Sequence, residues 1–262
     1  MDGRKKKFIK ELSEKSRIRK ESGLFVVDGP KMCREIPGEL LDEIFVTEEY
    51  LKSDYAKITM DLLSKNRFEV ISQQDMKQIS DTMNPQGILC TVKQKQHIKL
   101  SELIKTKETP LLLMLETIQD PGNLGTILRA GEAAGVTGII MNSTTADIYS
   151  PKVVRSTMGS VFRVPFCIVS DLKKAAVTLK EEGINVIATD LKDSHDYCSV
   201  KYTNPAAILI GNESKGLSAE MLEEANQSVI IPMMGQVESL NAAMAASVIL
   251  FEASRQRRQR GN

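Results

Sequence analysis

The stretch "ILIGNESKGLS", residues 208–218, runs from an apolar segment into glycine, asparagine and glutamate. The unbroken apolar run from Ala207 to Ile210 is typical of a parallel-sheet strand that is covered by helices on both faces. Gly211 then marks the carboxyl end of that strand. Open parallel sheets bind ligands outside such ends, where a glycine allows a ligand to approach the backbone closely. The stretch therefore predicts a binding edge, and it raises the question of what the Glu213 carboxylate does there.

The rest of the second half of the chain alternates between strands and helices. Predicted strands lie in "LLLMLE", "GIIM", "VPFCIV", "NVIATD", "AAILIG" and "SVIIPM", and predicted helices start at Asn123, in "SPKVVRS" and at Asp171. This alternation predicts an α/β domain with a mainly parallel sheet and helices on both faces.

The first half carries short β-like runs, "GLFVVDG", "EIFVTEE", "FEVIS" and "GILCTV", between helix-compatible segments. It predicts a small α/β domain. A polar, lysine-rich stretch separates the halves. We therefore predict one domain at residues 1–96, a linker at 97–109 and a second domain at 110–262.

Composition excludes several classes of protein. The 262 residues are 42% hydrophobic and 26% charged, as in globular proteins with room for two cores. No apolar run is long enough to cross a membrane, and no signal-peptide pattern occurs, so we expect a cytoplasmic protein without a membrane partner. The four cysteines form no CxxC pair and the chain has only two histidines, which predicts reduced, mostly buried cysteines and no metal site.

Positive charge is concentrated at the two ends, although the net charge is only +1. The segment "RKKKFIKELSEKSRIRK", residues 4–20, carries nine Lys or Arg against two Glu, and "RQRRQR", residues 255–260, adds four Arg. Such runs suit phosphate backbones. For either segment alone, a solvated helix face or a frayed tail is an equally good interpretation.

Two further stretches share the design of residues 208–218. They are "LETIQDPGNLGTILRAGEAAG", residues 115–135, and "IIPMMGQVESLNAAMAAS", residues 230–247. In each, an apolar strand leads into a polar or glycine-containing loop and then a helix, so one parallel sheet would gather all three at one edge. The fingerprints GxGxxG and GxxxxGK[ST] are absent, which argues against a Rossmann or P-loop nucleotide site.

Together the three stretches resemble the motifs of the SpoU (TrmH) family of RNA ribose 2′-O-methyltransferases, within the SPOUT superfamily, and they stand in that family's order. The first half is similar to that family's ribosomal-protein-like RNA-binding domain through "RKESGLFVVDGPKMCREI" and "NPQGILCTV". Two residues depart from the common pattern: Glu116 stands where many members have Asp, and Ser214 where many have Gly.

The resemblance implies a trefoil-knotted catalytic domain at 110–262 with a backbone-built S-adenosylmethionine pocket. Backbone groups beside Gly211, Ile231 and Leu240 would bind adenine, and apolar side chains would form the walls. The residues expected to bind the cofactor are Gly211, Ile231, Leu240, Met233, Leu209 and Ile210. The alternative interpretation is plain core packing for the apolar residues and a tight strand exit for Gly211.

The resemblance also implies a catalytic set, which consists of Arg129, Asn123, Glu213, Ser239 and Asn241. Because a guanidinium stays protonated in proteins, we expect Arg129 to clamp a phosphate and stabilise a developing oxyanion rather than to act as a base. The proton acceptor stays open between Glu213, the substrate phosphate and water.

Each catalytic candidate also has an ordinary structural interpretation. Asn123 and Ser239 could cap helices, Asn241 could face solvent, Arg129 could be a surface cation or pair with Glu132, and Glu213 could be a surface turn residue.

The expected function is methyl transfer from S-adenosylmethionine to a ribose 2′-hydroxyl of RNA, with ribosomal RNA as the expected substrate. The alternatives are a tRNA 2′-O-methyltransferase and a non-catalytic RNA-binding protein of the same fold. The resemblance implies a homodimer formed through the catalytic domain. The last predicted helix, "LNAAMAASVILFEAS", supports this with an apolar face that is wide for an exposed helix.

Overall fold

The computed structural model describes residues 1–105, 107–192 and 194–260, with only the backbone of residue 260. Residue 106 of the predicted linker and residues 193, 261 and 262 of the predicted second domain lie outside the described residues. The helices are α1 (Gly3–Glu14), α2 (Ser16–Ser22), α3 (Pro30–Cys33), α4 (Glu48–Lys52), α5 (Met60–Lys65), α6 (Gln73–Ile79), α7 (Leu100–Ile104), α8 (Pro121–Ala134), α9 (Pro151–Thr157), α10 (Ser160–Arg163), α11 (Leu172–Glu181), α12 (Ala219–Glu224) and α13 (Ala242–Arg260). The strands are β1 (Leu24–Asp28), β2 (Leu41–Thr47), β3 (Glu69–Ile71), β4 (Ile88–Lys93), β5 (Leu111–Leu115), β6 (Gly138–Asn142), β7 (Phe166–Val169), β8 (Asn185–Thr189), β9 (His195–Asp196), β10 (Ala206–Ile210) and β11 (Gln227–Ile230).

The chain forms two compact units. Unit 1 consists of Met1–Gln96 together with Asp147–Phe162, and unit 2 consists of His97–Ala146 together with the chain from Arg163 onwards. The stretch Asp147–Phe162, which the predicted boundaries place in the second domain, therefore packs with the first.

Unit 1 is built on a four-stranded mixed sheet in the order β1-β4-β2-β3. Strand β4 runs antiparallel to β1 and β2, and β3 runs parallel to β2. Helix α1 covers the sheet because its apolar residues recur at helical spacing, so that Ile9 and Leu12 share one core with Phe45 and Leu89. The predicted small α/β fold of the first half is confirmed.

Arg19 is the most deeply buried charged residue of unit 1, with 4% of its surface exposed. Its guanidinium donates to Asp147 Oδ2 at 2.7 and 2.9 Å, and to the carbonyl oxygens of Leu12 and Ser13 at 2.6 and 3.1 Å. A guanidinium with this many acceptors is a structural cation rather than a phosphate ligand. Arg19 therefore anchors the stretch Asp147–Phe162 to the rest of unit 1.

Other basic residues of the amino-terminal segment are also neutralised within unit 1. Lys5 pairs with Glu43 and Glu69, and Lys6 pairs with Asp75. The high positive charge of residues 4–20 therefore overstates the charge that is available to a nucleic acid.

Unit 2 is built on a seven-stranded sheet in the order β7-β6-β5-β10-β8-β11-β9, in which the neighbouring strands are parallel. Every residue of β5 and β10 is buried, as the unbroken apolar runs predicted. Helices α7, α11 and α12 share a core with Leu112 and Met114 of β5, and α8 packs against α13. The predicted parallel α/β architecture is confirmed.

The segment predicted as a linker, residues 97–109, contains α7. Leu103 of that helix is fully buried in the core of unit 2. It lies so close to β6 that a Cβ added at Gly138 would approach its Cδ1 to 2.4 Å. The described part of this segment therefore contributes to the core, although its composition is polar and lysine-rich.

The basic tail is helical rather than frayed, because α13 continues to Arg260. The Arg257 guanidinium donates to the carbonyl oxygens of Tyr202, Asn204, Thr109 and Pro110 at 2.7 to 3.0 Å. These carbonyls precede β10 and β5, so Arg257 holds the amino ends of two central strands. Burial lowers the pKa of Arg257 from its usual value.

Three of the cysteines, Cys33, Cys90 and Cys167, are buried, whereas Cys198 is exposed. None of the helices in the described ranges is long and apolar enough to cross a membrane.

We predict that Arg19→Met lowers the free energy of unfolding by about 3–5 kcal/mol, because it leaves the Asp147 carboxylate and two carbonyls without their partner. Arg17→Met is the matched control, since Arg17 lies on the same helix, is 84% exposed and pairs with the exposed Glu21. Its effect should stay below about 1 kcal/mol. Urea denaturation measures both, and equal effects would show that Arg19 is no anchor.

Candidate active site

The carboxyl ends of β5, β8, β10 and β11 lie at one edge of the parallel sheet, as the strand pairing requires. A cavity of about 280 Å³ opens at the ends of β8, β10 and β11, beside the start of α13. Six residues of the predicted set line it: Ile210, Gly211, Glu213, Ile231, Ser239 and Leu240. The second and third motifs therefore share one cavity.

Two residues predicted to bind the cofactor do not line this cavity. Leu209 is fully buried in the core that α11 and α12 cover. Because successive strand residues point to opposite faces, Leu209 and its neighbour Ile210 have different surroundings. Met233 is half-buried in the loop after β11, outside the cavity lining.

Gly211 is required by its own loop. A Cβ at this position would lie 2.3 Å from the carbonyl carbon of Gly216 and 2.4 Å from the nitrogen of Leu217. The loop folds back here because Asn212 and Gly216 exchange backbone hydrogen bonds of 3.0 and 2.9 Å. The geometry thus supports the tight strand exit, which sequence analysis gave as the alternative to ligand approach.

Glu213 connects the second motif to the loop that opens α8. Its Oε1 accepts from the backbone nitrogen of Asp120 at 3.0 Å and from Asn123 Nδ2 at 3.1 Å. Its Oε2 accepts from the backbone nitrogen of Gln119 at 3.2 Å and from Asn212 Nδ2 at 3.3 Å. Glu213 thus lies in a turn, as the alternative interpretation has it, but its half-buried carboxylate is held by both motifs.

These contacts also set the charge of Glu213. Burial raises the pKa of the carboxyl group, but hydrogen bonds from Asp120, Asn123 and Gln119 outweigh it, so the pKa lies below its usual value. A carboxylate that is stabilised in its ionised form by several donors is a weak proton acceptor at neutral pH.

Asn123 and Asn241 extend the connection to the third motif. Asn241 Nδ2 donates to Asn123 Oδ1 at 2.9 Å, and Asn241 Oδ1 accepts from the backbone nitrogens of Ala243 and Met244. Asn241 therefore caps α13 instead of simply facing solvent. A continuous chain of hydrogen bonds, Asn241–Asn123–Glu213, joins the three motifs, and we call it the asparagine–glutamate relay.

Helix α8 begins two residues before the predicted start at Asn123. Its cap is Asp120, whose Oδ1 accepts from the backbone nitrogen of Asn123 at 2.8 Å, and Pro121 occupies the first helical position. The interpretation of Asn123 as the cap is therefore wrong. The Asp-Pro pair is the usual pattern for a helix start and would have located it correctly.

Arg129 lies six residues after Asn123, about 9 Å further along α8. Its side chain is exposed and forms no hydrogen bond or ion pair with the part of the chain that the structure describes. Glu132, the partner considered from sequence, binds Arg163 with an Nη2–Oε2 distance of 3.1 Å. The Arg129 guanidinium is therefore open to a ligand. Ser239 lies in the exposed loop before α13 and lines the cavity.

Three further residues shape this edge, although none of them was predicted as a site residue. Glu116 accepts from the backbone nitrogen and the Oγ of Ser218 at 2.9 and 2.7 Å, which ties the end of β5 to the start of α12. Thr117 has a φ of 57°, which is unusual for a β-branched residue. Asn142 holds it, with Oδ1 accepting from the Thr117 nitrogen and Nδ2 donating to Thr117 Oγ1.

Within residues 1–105, 107–192 and 194–260, no three His, Cys, Asp or Glu side chains are grouped so that they could hold a metal ion.

Comparison with known proteins agrees with this geometry. The sequence profile of the SpoU rRNA Methylase family matches residues 110–251, which hold all three motifs, and that of the MRM3-like substrate binding domain matches residues 4–90. The chain belongs to the SpoU rRNA methylase family.

Relatives of this SpoU-family chain match both of its halves. The 23S rRNA (guanosine(2553)-2′-O)-methyltransferase RlmP of Bacillus subtilis is 29% identical over 89% of either chain. The 23S rRNA (guanosine-2′-O-)-methyltransferase RlmB of Vibrio parahaemolyticus is 37% identical over 66% of this chain and 72% of the relative. The SpoU methyltransferase AviRb of Streptomyces viridochromogenes, solved in complex with the cofactor AdoMet, is 28% identical with a TM-score of 0.84 over 98% of both chains.

We predict that Glu213→Gln destabilises this SpoU-family protein by about 1–3 kcal/mol at pH 7, because an amide cannot accept all the hydrogen bonds that the carboxylate accepts. The folded pKa of Glu213 is depressed, so its stabilisation is complete above the ordinary value of 4.5 and disappears as the pH falls through the folded pKa. The difference between wild type and variant should therefore shrink in acid.

Urea denaturation at pH 7 and at successively lower pH measures this difference. Glu223→Gln, at an exposed position on α12, is the control. A difference that stayed constant into acid would mean that the Glu213 charge does not contribute.

Proposed function

We propose that this protein transfers a methyl group from S-adenosylmethionine to a ribose 2′-hydroxyl of ribosomal RNA. The observation that carries the proposal is the asparagine–glutamate relay, which joins the three motifs beside a cavity. Its member Asn123 lies on α8, the helix that also carries the exposed Arg129. The names of the relatives support ribosomal RNA as the substrate, and the AviRb complex supports the cofactor. A cytoplasmic location and the trefoil knot are part of the same proposal.

The cavity suits S-adenosylmethionine. Ile210, Ile231, Leu240 and Ile249 give it apolar walls, and the backbone at Gly211 and Ile231 offers polar groups for a purine edge. When bound, the cofactor supplies an electrophilic methyl group. The protein then has to hold the ribose hydroxyl in line with that methyl group and assist removal of its proton, and positioning accounts for much of such a barrier.

Within this reaction we assign Arg129 to the RNA. Its exposed guanidinium would clamp a phosphate in two-pronged geometry and stabilise the developing oxyanion. Glu213 acts as a positioning residue, because its four hydrogen bonds and lowered pKa suit a fixed carboxylate. The substrate phosphate and water are then the better candidates for the proton acceptor.

Ser239 and Asn241 complete the proposed site. The loop that carries Ser239 lines the cavity, so we assign its hydroxyl to a polar contact with the cofactor or the ribose. Asn241 orients Asn123 while it caps α13, and both asparagines act as positioning residues.

We propose that residues 1–96 bind RNA, that 97–109 connect the domains and that 110–262 carry the reaction. The match of residues 4–90 to a substrate binding domain supports the first assignment. Because Ile9, Leu12 and Arg19 are buried, deletion of residues 1–20 would damage the fold of unit 1. RNA binding is better tested by substituting exposed cations such as Arg4 and Lys20.

We also propose a homodimer formed through α13. Met244, Val248 and Phe251 recur at helical spacing and form an apolar stripe, in which Met244 is 59% and Phe251 46% exposed. An exposed apolar stripe on a long helix is typical of a subunit interface.

The proposed substrate can be tested in cells. Mapping of 2′-O-methylated riboses in ribosomal and transfer RNA from a deletion strain should show the loss of methylation in ribosomal RNA. Loss in transfer RNA alone would contradict the proposed substrate, and unchanged methylation in both would contradict the activity.

We predict that Arg129→Ala lowers turnover by about a hundredfold or more while cofactor affinity is kept, because the guanidinium acts mainly in the transition state. Arg129→Lys should restore little, since a point charge cannot reproduce a planar two-pronged contact. Single-turnover methylation of saturating rRNA fragments measures both variants.

Lys174→Ala removes an exposed cation from α11 and should leave the rate unchanged, which makes it the control. If Arg129→Ala kept the saturated rate and lost only RNA affinity, Arg129 would be an ordinary phosphate contact.

We predict that wild type is a dimer at micromolar concentration and that Met244→Glu shifts it to a monomer, because a charge would be buried in an apolar interface. Met60→Glu is the matched control, since Met60 is 62% exposed on α5 in unit 1. Light scattering measures the molar mass. A monomeric wild type would contradict the proposed dimer.

A further inference from the structure

Asp190 is a charged residue of the cavity to which no role has been assigned. It follows β8 directly, and β8 lies between β10 and β11 in the sheet. Its side chain is half-buried and lines the cavity. One carboxylate oxygen, Oδ1, accepts from the backbone nitrogen of Leu191 at 2.8 Å. Among the residues that the structure describes, no cation pairs with it.

The other charged residues of the cavity do not compensate Asp190. Glu213 has the same sign and is occupied by the relay. Lys215 lies on the exposed turn after β10 and forms no ion pair with the described part of the chain. A carboxylate that loses part of its water shell needs hydrogen-bond donors in exchange. The second carboxylate oxygen of Asp190, Oδ2, can therefore accept hydrogen bonds from donors on a bound ligand.

The position of Asp190 indicates which donors these are. The strand ends on either side of it carry Gly211 and Ile231, whose backbone groups we assigned to adenine. In other nucleotide-binding parallel sheets, a carboxylate on a strand beside the purine site accepts the ribose hydroxyls. A vicinal diol offers two O–H donors to one carboxylate.

We infer that Asp190 binds the 2′- and 3′-hydroxyls of the cofactor ribose, an inference that rests on the proposed function. The competing interpretation is that Asp190 attracts the positive charge of the sulfonium group. S-adenosylhomocysteine separates the two, because it has the same ribose and lacks the sulfonium charge.

The test is Asp190→Asn in the full-length protein, with binding measured by calorimetry. The amide oxygen of the substituted side chain can still accept from the Leu191 nitrogen, so the local backbone is kept. The ligands are S-adenosylmethionine, S-adenosylhomocysteine and the 3′-deoxyribose form of S-adenosylhomocysteine. Asp190→Asn should lower the affinity for S-adenosylmethionine and for S-adenosylhomocysteine by the same factor, about 10- to 100-fold, as expected for hydrogen bonds to a charged acceptor.

The deoxy ligand tests the same contact without changing the protein. It should bind wild type more weakly than S-adenosylhomocysteine does, and Asp190→Asn should weaken its binding by a smaller factor than that of S-adenosylhomocysteine, because one of the two hydroxyl contacts is already missing. Asp54→Asn is the control, since Asp54 is 92% exposed in unit 1.

Three results would overturn the inference. If Asp190→Asn lowered the affinity for S-adenosylmethionine by a factor at least ten times larger than for S-adenosylhomocysteine, Asp190 would be assigned to the sulfonium charge. Unchanged affinity for both ligands would remove Asp190 from the binding site. A wild-type protein that binds neither ligand would contradict the proposed function itself, which is a different outcome from a failure of Asp190 alone.

Discussion

The acceptor-only chemistry of one carboxylate fixes the arrangement of the site. Glu213 can only accept hydrogen bonds, so Asn123 must turn its NH₂ group towards it and its oxygen towards Asn241. Asn241 then donates with its nitrogen and leaves its oxygen for the backbone of α13. The direction of every bond in the relay follows from the charge at one end. In this way Asn123 is held to Glu213, which lies 90 positions away in the chain, and to Asn241, which lies 118 positions away.

The parts of the structure that local patterns determine were predictable. Unbroken apolar runs located β5 and β10, and the alternation of strands and helices predicted a parallel sheet whose carboxyl ends gather the three motifs. Gly211 was located correctly, and its close contacts favour the tight strand exit, the alternative interpretation, as the reason for a glycine there. The close neighbour is the backbone of Gly216, which reaches it only after the chain has reversed, and composition does not encode that approach.

Long-range polar pairing was not predictable from the sequence. Arg19 and Arg257 have the appearance of surface cations, because the neighbouring residues are basic or polar. Arg19 instead meets Asp147, 128 positions away, and Arg257 meets backbone carbonyls that no side-chain pattern records. The lysines around Leu103 likewise favoured a solvent-exposed linker, although this segment contains a helix whose Leu103 is buried. In each case the partner is defined by the fold and not by the local sequence.

The strained backbone at Thr117 shows how firmly the site is fixed before any ligand binds. A β-branched residue at positive φ costs about 1–3 kcal/mol and persists only where its surroundings enforce it. Asn142 and Asn212 enforce it here through the Thr117 nitrogen, hydroxyl and carbonyl, and the next residues then present their N–H groups to Glu213. The protein satisfies the polar groups of this frame internally, so no ligand is needed to hold the frame in place. Arg129 and Asp190, by contrast, have no counter-ion among the residues that the structure describes, which is why we assign them to the proposed substrate and cofactor.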